Sequence, residues 1–203
     1  GLRLVLALGI PAAVGLVLLA QPLTALLFER GEFTAEDSAR AARMVACYSV
    51  AIWAYCALPV LVRGFYALGD TAMPARVAAV MVGLNVVLDL MLIWPLAEAG
   101  LAISTAIAAM IQVTCLAVLF ARRGPGLEVG PLTATVVRSA LAASAMAGVL
   151  LVILPIVPGG PWLVRAATLG LAIAAGAASY ILGFTLLGGR EFWHVWRRGK
   201  AEV

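Results

Sequence analysis

Six stretches of at least eighteen residues carry almost no formal charge, and this pattern restricts the fold more than any single motif. They run over residues 4–28, 39–62, 77–94, 101–121, 132–154 and 162–187. A helix rises about 1.5 Å per residue, so each run is long enough to cross a hydrocarbon core of roughly 30 Å. Only 12% of the 203 residues are charged and 64% are hydrophobic, against about half in soluble domains. The expected fold is therefore all-α, a polytopic integral membrane protein with six transmembrane helices.

The connections carry the local signals. In the first run Pro11 predicts a kink or a closely approached backbone. Thr34 followed by Asp37 reads as a capping box opening the second crossing, and Pro59 is expected to bend that crossing near its end. The most informative break is the stretch from Arg63 to Arg76. Gly69-Asp70 reads as a turn there, Asp70 or Thr71 can cap the next helix, and Pro74 falls in its first turn. Residues 122–131 are rich in Gly and Pro and read as a linker. Residues 188–203 hold Arg190, Trp193, Trp196, Arg197, Arg198 and Lys200, the composition of a basic tail lying on a membrane surface. The domain reading is thus 1–121 with four crossings, 122–131 linking, 132–187 with two more, and 188–203 as tail. Small residues Ala140, Ser144 and Gly148 share one helical face, as do Ala166, Gly170, Ala174 and Ala178. These faces are expected to pack the last two helices together.

Six crossings alternate sides, which sorts the cations. Ten of the fourteen Lys and Arg fall on the side of Arg3, Arg63, Arg76, Arg122, Arg123 and Arg138, and four on the side of Arg30, Arg40, Arg43 and Arg165. The positive-inside rule then places the first side, with both ends of the chain, in the cytoplasm.

Chemistry-bearing residues are few. Asp89 is the one acid deep in an apolar run, and Asn85 lies one turn before it on the same face. An intramembrane carboxylate marks a polar cavity or ion path, or else a helix-packing contact. Arg63 and Arg76 have the planar fork that matches phosphate oxygens, so they are candidates for anionic headgroups; simple orientation of the helices is the competing role. Cys47, Cys56 and Cys115 lack metal-ligand or disulfide spacing, and the single histidine, His194, lies in the tail. No paired carboxylates, nucleophile–base set or phosphate loop is visible, so neither a catalytic residue nor a metal site is assigned. A net charge of +4 without a basic stripe argues against nucleic acid as a partner. A transporter and a structural membrane subunit are the classes left open.

Two motifs go further in combination: Arg30-Gly31-Glu32-Phe33-Thr34-Ala35-Glu36-Asp37, and Gly64-Phe65-Tyr66-Ala67-Leu68-Gly69-Asp70-Thr71 with Pro74. With Gly1-Leu2-Arg3-Leu4 before Pro11, and Ala99-Gly100-Leu101-Ala102, they resemble the MurJ/MviN lipid II flippase family over residues 1–121. That family lies within the multidrug/oligosaccharidyl-lipid/polysaccharide exporter superfamily. The resemblance implies the last six of fourteen helices: four from the second lobe, then an extra pair forming a groove for a lipid tail. It implies, too, that the chain is the C-terminal piece of a longer protein in the bacterial inner membrane. Its partners would be lipid II, membrane lipids and the missing N-terminal part, with no cofactor. The implied activity is movement of this polyprenyl-pyrophosphate glycopeptide to the periplasmic leaflet by alternating access, without enzymatic chemistry. Two departures stand out: no basic residue lies between Thr71 and Pro74, and Asp89 stands where the resemblance implies Asn. The cavity arginines of the family fall outside this chain. The alternatives are an exporter of another polyprenyl-linked glycan or of drugs, and a non-transporting scaffold for cell-wall enzymes.

Overall fold

The computed structural model describes residues 1–123, 129–156 and 161–189. The proposed tail and the centre of the 122–131 linker therefore lie largely outside the described residues. Seven α-helices occur among those described: α1 Leu2–Phe28, α2 Ala35–Ser49, α3 Ile52–Ala67, α4 Ala72–Leu96, α5 Glu98–Arg123, α6 Val129–Ile153 and α7 Trp162–Leu186. They make six membrane-length apolar spans, because α2 and α3 together form one span, Ala35–Ala67.

Helix α1 is the centre of the array. It packs on α2 and α3 on one flank and on α6 on the other, and α7 lies against α6. Helix α5 backs α2 and α3, and α4 leans almost wholly on α5. Small side chains permit the close approach: Ala51 at the start of α3 and Ala54 and Ala57 within it are fully buried, as is Ala102 of α5. Lipid is as apolar as these side chains, so close backbone packing rather than escape from water holds the helices together. Phe65 fills the core at the arginine-rich end, meeting Phe120 edge-on at 5.4 Å.

The second span is interrupted at Val50–Ala51, and Pro59 sits inside α3. A proline removes one donor and bends a helix without ending it. Ser49 instead bonds back to the Val45 carbonyl at 2.6 Å, and Ala51 N–H turns to Tyr48 O. That local competition interrupts the ladder. The backbone closely approached in α1 is Gly9, where a Cβ would lie 2.9 Å from Cα of Trp53 just after the break.

The capping box is present: Asp37 N–H donates to Thr34 Oγ1 at 3.2 Å and Thr34 N–H to Asp37 Oδ2 at 3.1 Å. Helices α6 and α7 do pack together, but through other residues than expected. Ala142, Met146 and Leu150 meet Leu169, Ala172 and Tyr180, whereas Ala140, Ser144, Gly148, Gly170, Ala174 and Ala178 are exposed and Ala166 is half-buried. The faces that meet mix small with large residues, Ala142, Ala172 and Gly176 lying beside Met146, Leu150 and Tyr180, so close approach and contact area are gained together.

Polar contacts at the two ends agree with the alternation of sides. At the arginine-rich end Arg3 Nε donates to Thr135 Oγ1 at 3.1 Å and Arg138 to the Gly188 carbonyl at 3.4 Å. At the other end Arg165 lies 4.0 Å from Glu29, and the Arg30 guanidinium sits 5.6 Å above the Trp162 ring.

Candidate functional site

The α3–α4 turn closes with the backbone pattern of a glycine-terminated helix. Gly69 takes φ +76°, Gly69 N–H reaches Tyr66 O, and Asp70 N–H reaches Phe65 O. Of the two cap candidates Asp70 does the work: its Oδ1 accepts from Met73 N–H at 3.0 Å, while the Thr71 side chain makes no cap bond. Asp70 Oδ2 accepts from Arg123 at the end of α5 at 2.8 Å. Pro74 is buried in the first turn of α4. Arg63 and Arg76 are exposed, and among the described residues no ion pair joins either to another group.

Deeper in the span α4 and α5 form a hairpin. Ala97 carries φ +49° at its turn, and Gly100 abuts the Leu92 carbonyl so closely that any Cβ would overlap it. Only glycine fits there. The tight turn brings residues on either side of it face to face. Ser104 hydroxyl, fully buried, donates to Asp89 Oδ1. With its amide oriented to suit both neighbours, Asn85 donates to Asp89 Oδ2 and accepts from Thr105 N–H, each at 3.2 Å. Ser104 and Thr105 also donate to the Leu101 carbonyl. The cluster lies about 10 Å along α4 from its end at Leu96.

The structure thus joins Asn85 to Asp89 and leaves Arg63 and Arg76 apart from them, at the other end of α4 or beyond. Sequence reasoning missed Ser104 as the partner of Asp89 and the Thr105 N–H as the partner of Asn85; Ser104 stands about as far after the Ala97 turn as Asp89 before it, which was a usable signal. One carboxylate, one amide and one hydroxyl make an oxygen-rich set, suited to a proton or a small hard cation and unsuited to a soft metal. Among the described residues no cluster of three or more His, Cys, Asp or Glu exists.

Two apolar grooves flank α1. One, of about 530 Å³, is lined by Leu6, Ile10, Val14, Val50, Trp53 and Val136. The other, of about 450 Å³, lies between α1, α6 and α7, where Pro11, Gly15, Met146, Gly176, Ala177 and Tyr180 line it.

Six apolar spans, one of them broken, with a polar cluster at membrane depth and apolar grooves beside α1, define a multi-pass membrane protein. A family model described as "Lipid II flippase MurJ" matches residues 1–184, and the chain belongs to that family. A probable lipid II flippase MurJ of Vibrio cholerae serotype O1 is 36% identical over 200 residues, covering 94% of this chain and 37% of the relative. One from Rhizobium tropici is 31% identical over 206 residues, covering 99% and 39%. A solved structure of lipid II flippase MurJ in an inward closed conformation superposes with a TM-score of 0.75 at 22% identity, over 94% of this chain and 38% of that one. The chain accordingly spans less than two fifths of the length of these relatives.

Proposed function

We propose that this chain supplies six helices, the last six of fourteen, to a lipid II flippase of the bacterial inner membrane. The family match across residues 1–184 is the observation that carries the reading. The protein would move the polyprenyl-pyrophosphate glycopeptide from the cytoplasmic to the periplasmic leaflet by rocking one lobe on the other, making and breaking no bond. The groove between α1, α6 and α7 would take the polyprenyl chain; it is apolar throughout and borders the two C-terminal helices. Arg63 and Arg76, exposed at the arginine-rich end, would contact anionic headgroups on the cytoplasmic side, where the chain's C-terminus also lies. Asn85 and Asp89 would border the polar path. Their hydrogen bonds to α5 support this, because α4 leaves its other faces uncovered within the chain.

The test is depletion of the full-length protein from cells with no other flippase. Lipid II should then accumulate in the cytoplasmic leaflet. Undiminished periplasmic delivery would sink the assignment, and delivery of a different polyprenyl glycan by the purified protein in liposomes would redirect it.

A further inference from the structure

Pro11 removes an N–H from the middle of α1, and the carbonyl that it would have served, four residues back, is that of Ala7. Ala7 is buried, so this acceptor cannot turn to water. A buried carbonyl without a donor is expensive, more so inside a membrane. The structure satisfies it from the far end of the chain: Tyr180 of α7 donates its hydroxyl to Ala7 O at 2.5 Å. Tyr180 is only 8% exposed and stacks on Phe184 at 5.7 Å, which holds its ring in place.

The same two residues line the groove between α1, α6 and α7, Pro11 from one wall and Tyr180 from another. α7 otherwise depends on α6, and its direct contact with α1 is small. One hydrogen bond, set at the weak point of α1, therefore ties α7 directly to α1 beside the groove. A proline kink is also where a helix bends most readily. Bending α1 about Pro11 moves the Ala7 carbonyl, so the bond and the bend cannot change independently.

We infer that the Tyr180–Ala7 hydrogen bond is a latch on this groove, closed in the present conformation and released when α1 changes its bend, so that a polyprenyl chain can enter. The inference rests on the proposed lipid-carrying role of the groove. Tyr180 acts here as a positioning residue through its hydroxyl, and its ring packs whether or not the latch is made.

The experiment uses the full-length protein in a cysteine-free background, in vesicles of phosphatidylethanolamine and phosphatidylglycerol. Spin labels at positions 8 and 181, on facing walls of the groove, report its width. Tyr180→Phe should shift the population toward wider distances by roughly fivefold, the effect of losing one hydrogen bond of ordinary strength. Pro11→Ala restores the donor within α1, so adding Tyr180→Phe to it should change little. An unchanged distance in Tyr180→Phe, or equal widening in both backgrounds, would overturn the latch. Polyprenyl phosphate crosslinked through a benzophenone amino acid at position 177 gives the second readout, and its yield should rise in Tyr180→Phe. A widened groove with no rise overturns the gate. No crosslinking in any variant would overturn the lipid-groove reading itself, while the distances still judge the latch.

Discussion

Arg123, at the last residue of α5, lies 2.8 Å from Asp70, fifty-three positions earlier in the turn between α3 and α4. One carboxylate thus ends one helix junction and ties down another: Oδ1 caps α4 and Oδ2 holds the guanidinium. Both groups are partly exposed, with side chains at 31% and 52%, so the ion pair itself contributes modestly. Roughly 0.2–1 kcal/mol is the range for such pairs.

These two roles of Asp70 separate by substitution. Asp70→Ala loses cap and pair together and should cost about 1–2 kcal/mol. Asp70→Asn keeps a good cap and loses only the charge, so it should match Arg123→Ala. Thermal unfolding in detergent checks the order. If Asp70→Asn proved as damaging as Asp70→Ala, the cap would not be the larger part.

Asp89 should divide stability from function. Asp89→Asn retains an acceptor for Ser104 and should unfold within about 1 kcal/mol of the parent. If the proposed polar path needs a carboxylate, lipid II translocation by the full-length protein should nonetheless fall at least tenfold, an effect of about 1.4 kcal/mol. Unaltered translocation would leave Asp89 as a packing contact. Ser104→Ala removes the buried donor, with an expected cost of about 1–2 kcal/mol.

Gly100→Ala places a methyl on the Leu92 carbonyl, which belongs to the backbone and cannot swing aside. The α4–α5 hairpin must splay, at an expected cost of about 2–4 kcal/mol. Gly83→Ala is the matched control in α4, because nothing lies within 4 Å of its added Cβ. It should be neutral or slightly stabilising. Similar melting temperatures for the two variants would contradict the tight turn.

Orientation is tested by accessibility. In a cysteine-free background, Leu68→Cys should react with a membrane-impermeant maleimide only after the cells are opened, and Glu32→Cys in intact cells. Both positions are exposed, so reactivity reports the side rather than burial. The reverse pattern would invert the topology.

Much of this architecture was legible in the amino-acid order because a bilayer leaves few options. Apolar length, proline position and the sorting of arginines act locally or against the membrane, so the six spans, the Thr34–Asp37 cap and the two charged ends could be read without knowing any contact. The turn chemistry at Gly69-Asp70 was equally local. What the sequence could not supply was which surfaces meet. Which faces join α6 to α7, and the Tyr180 hydroxyl on the Ala7 carbonyl, each depend on a neighbour far away in the chain. Pro11 alone announces that a carbonyl will be orphaned. Only the packing of α7 against α1 decides which group comes to satisfy it, because that choice is set by distance in space, and distance along the chain carries almost no information about it.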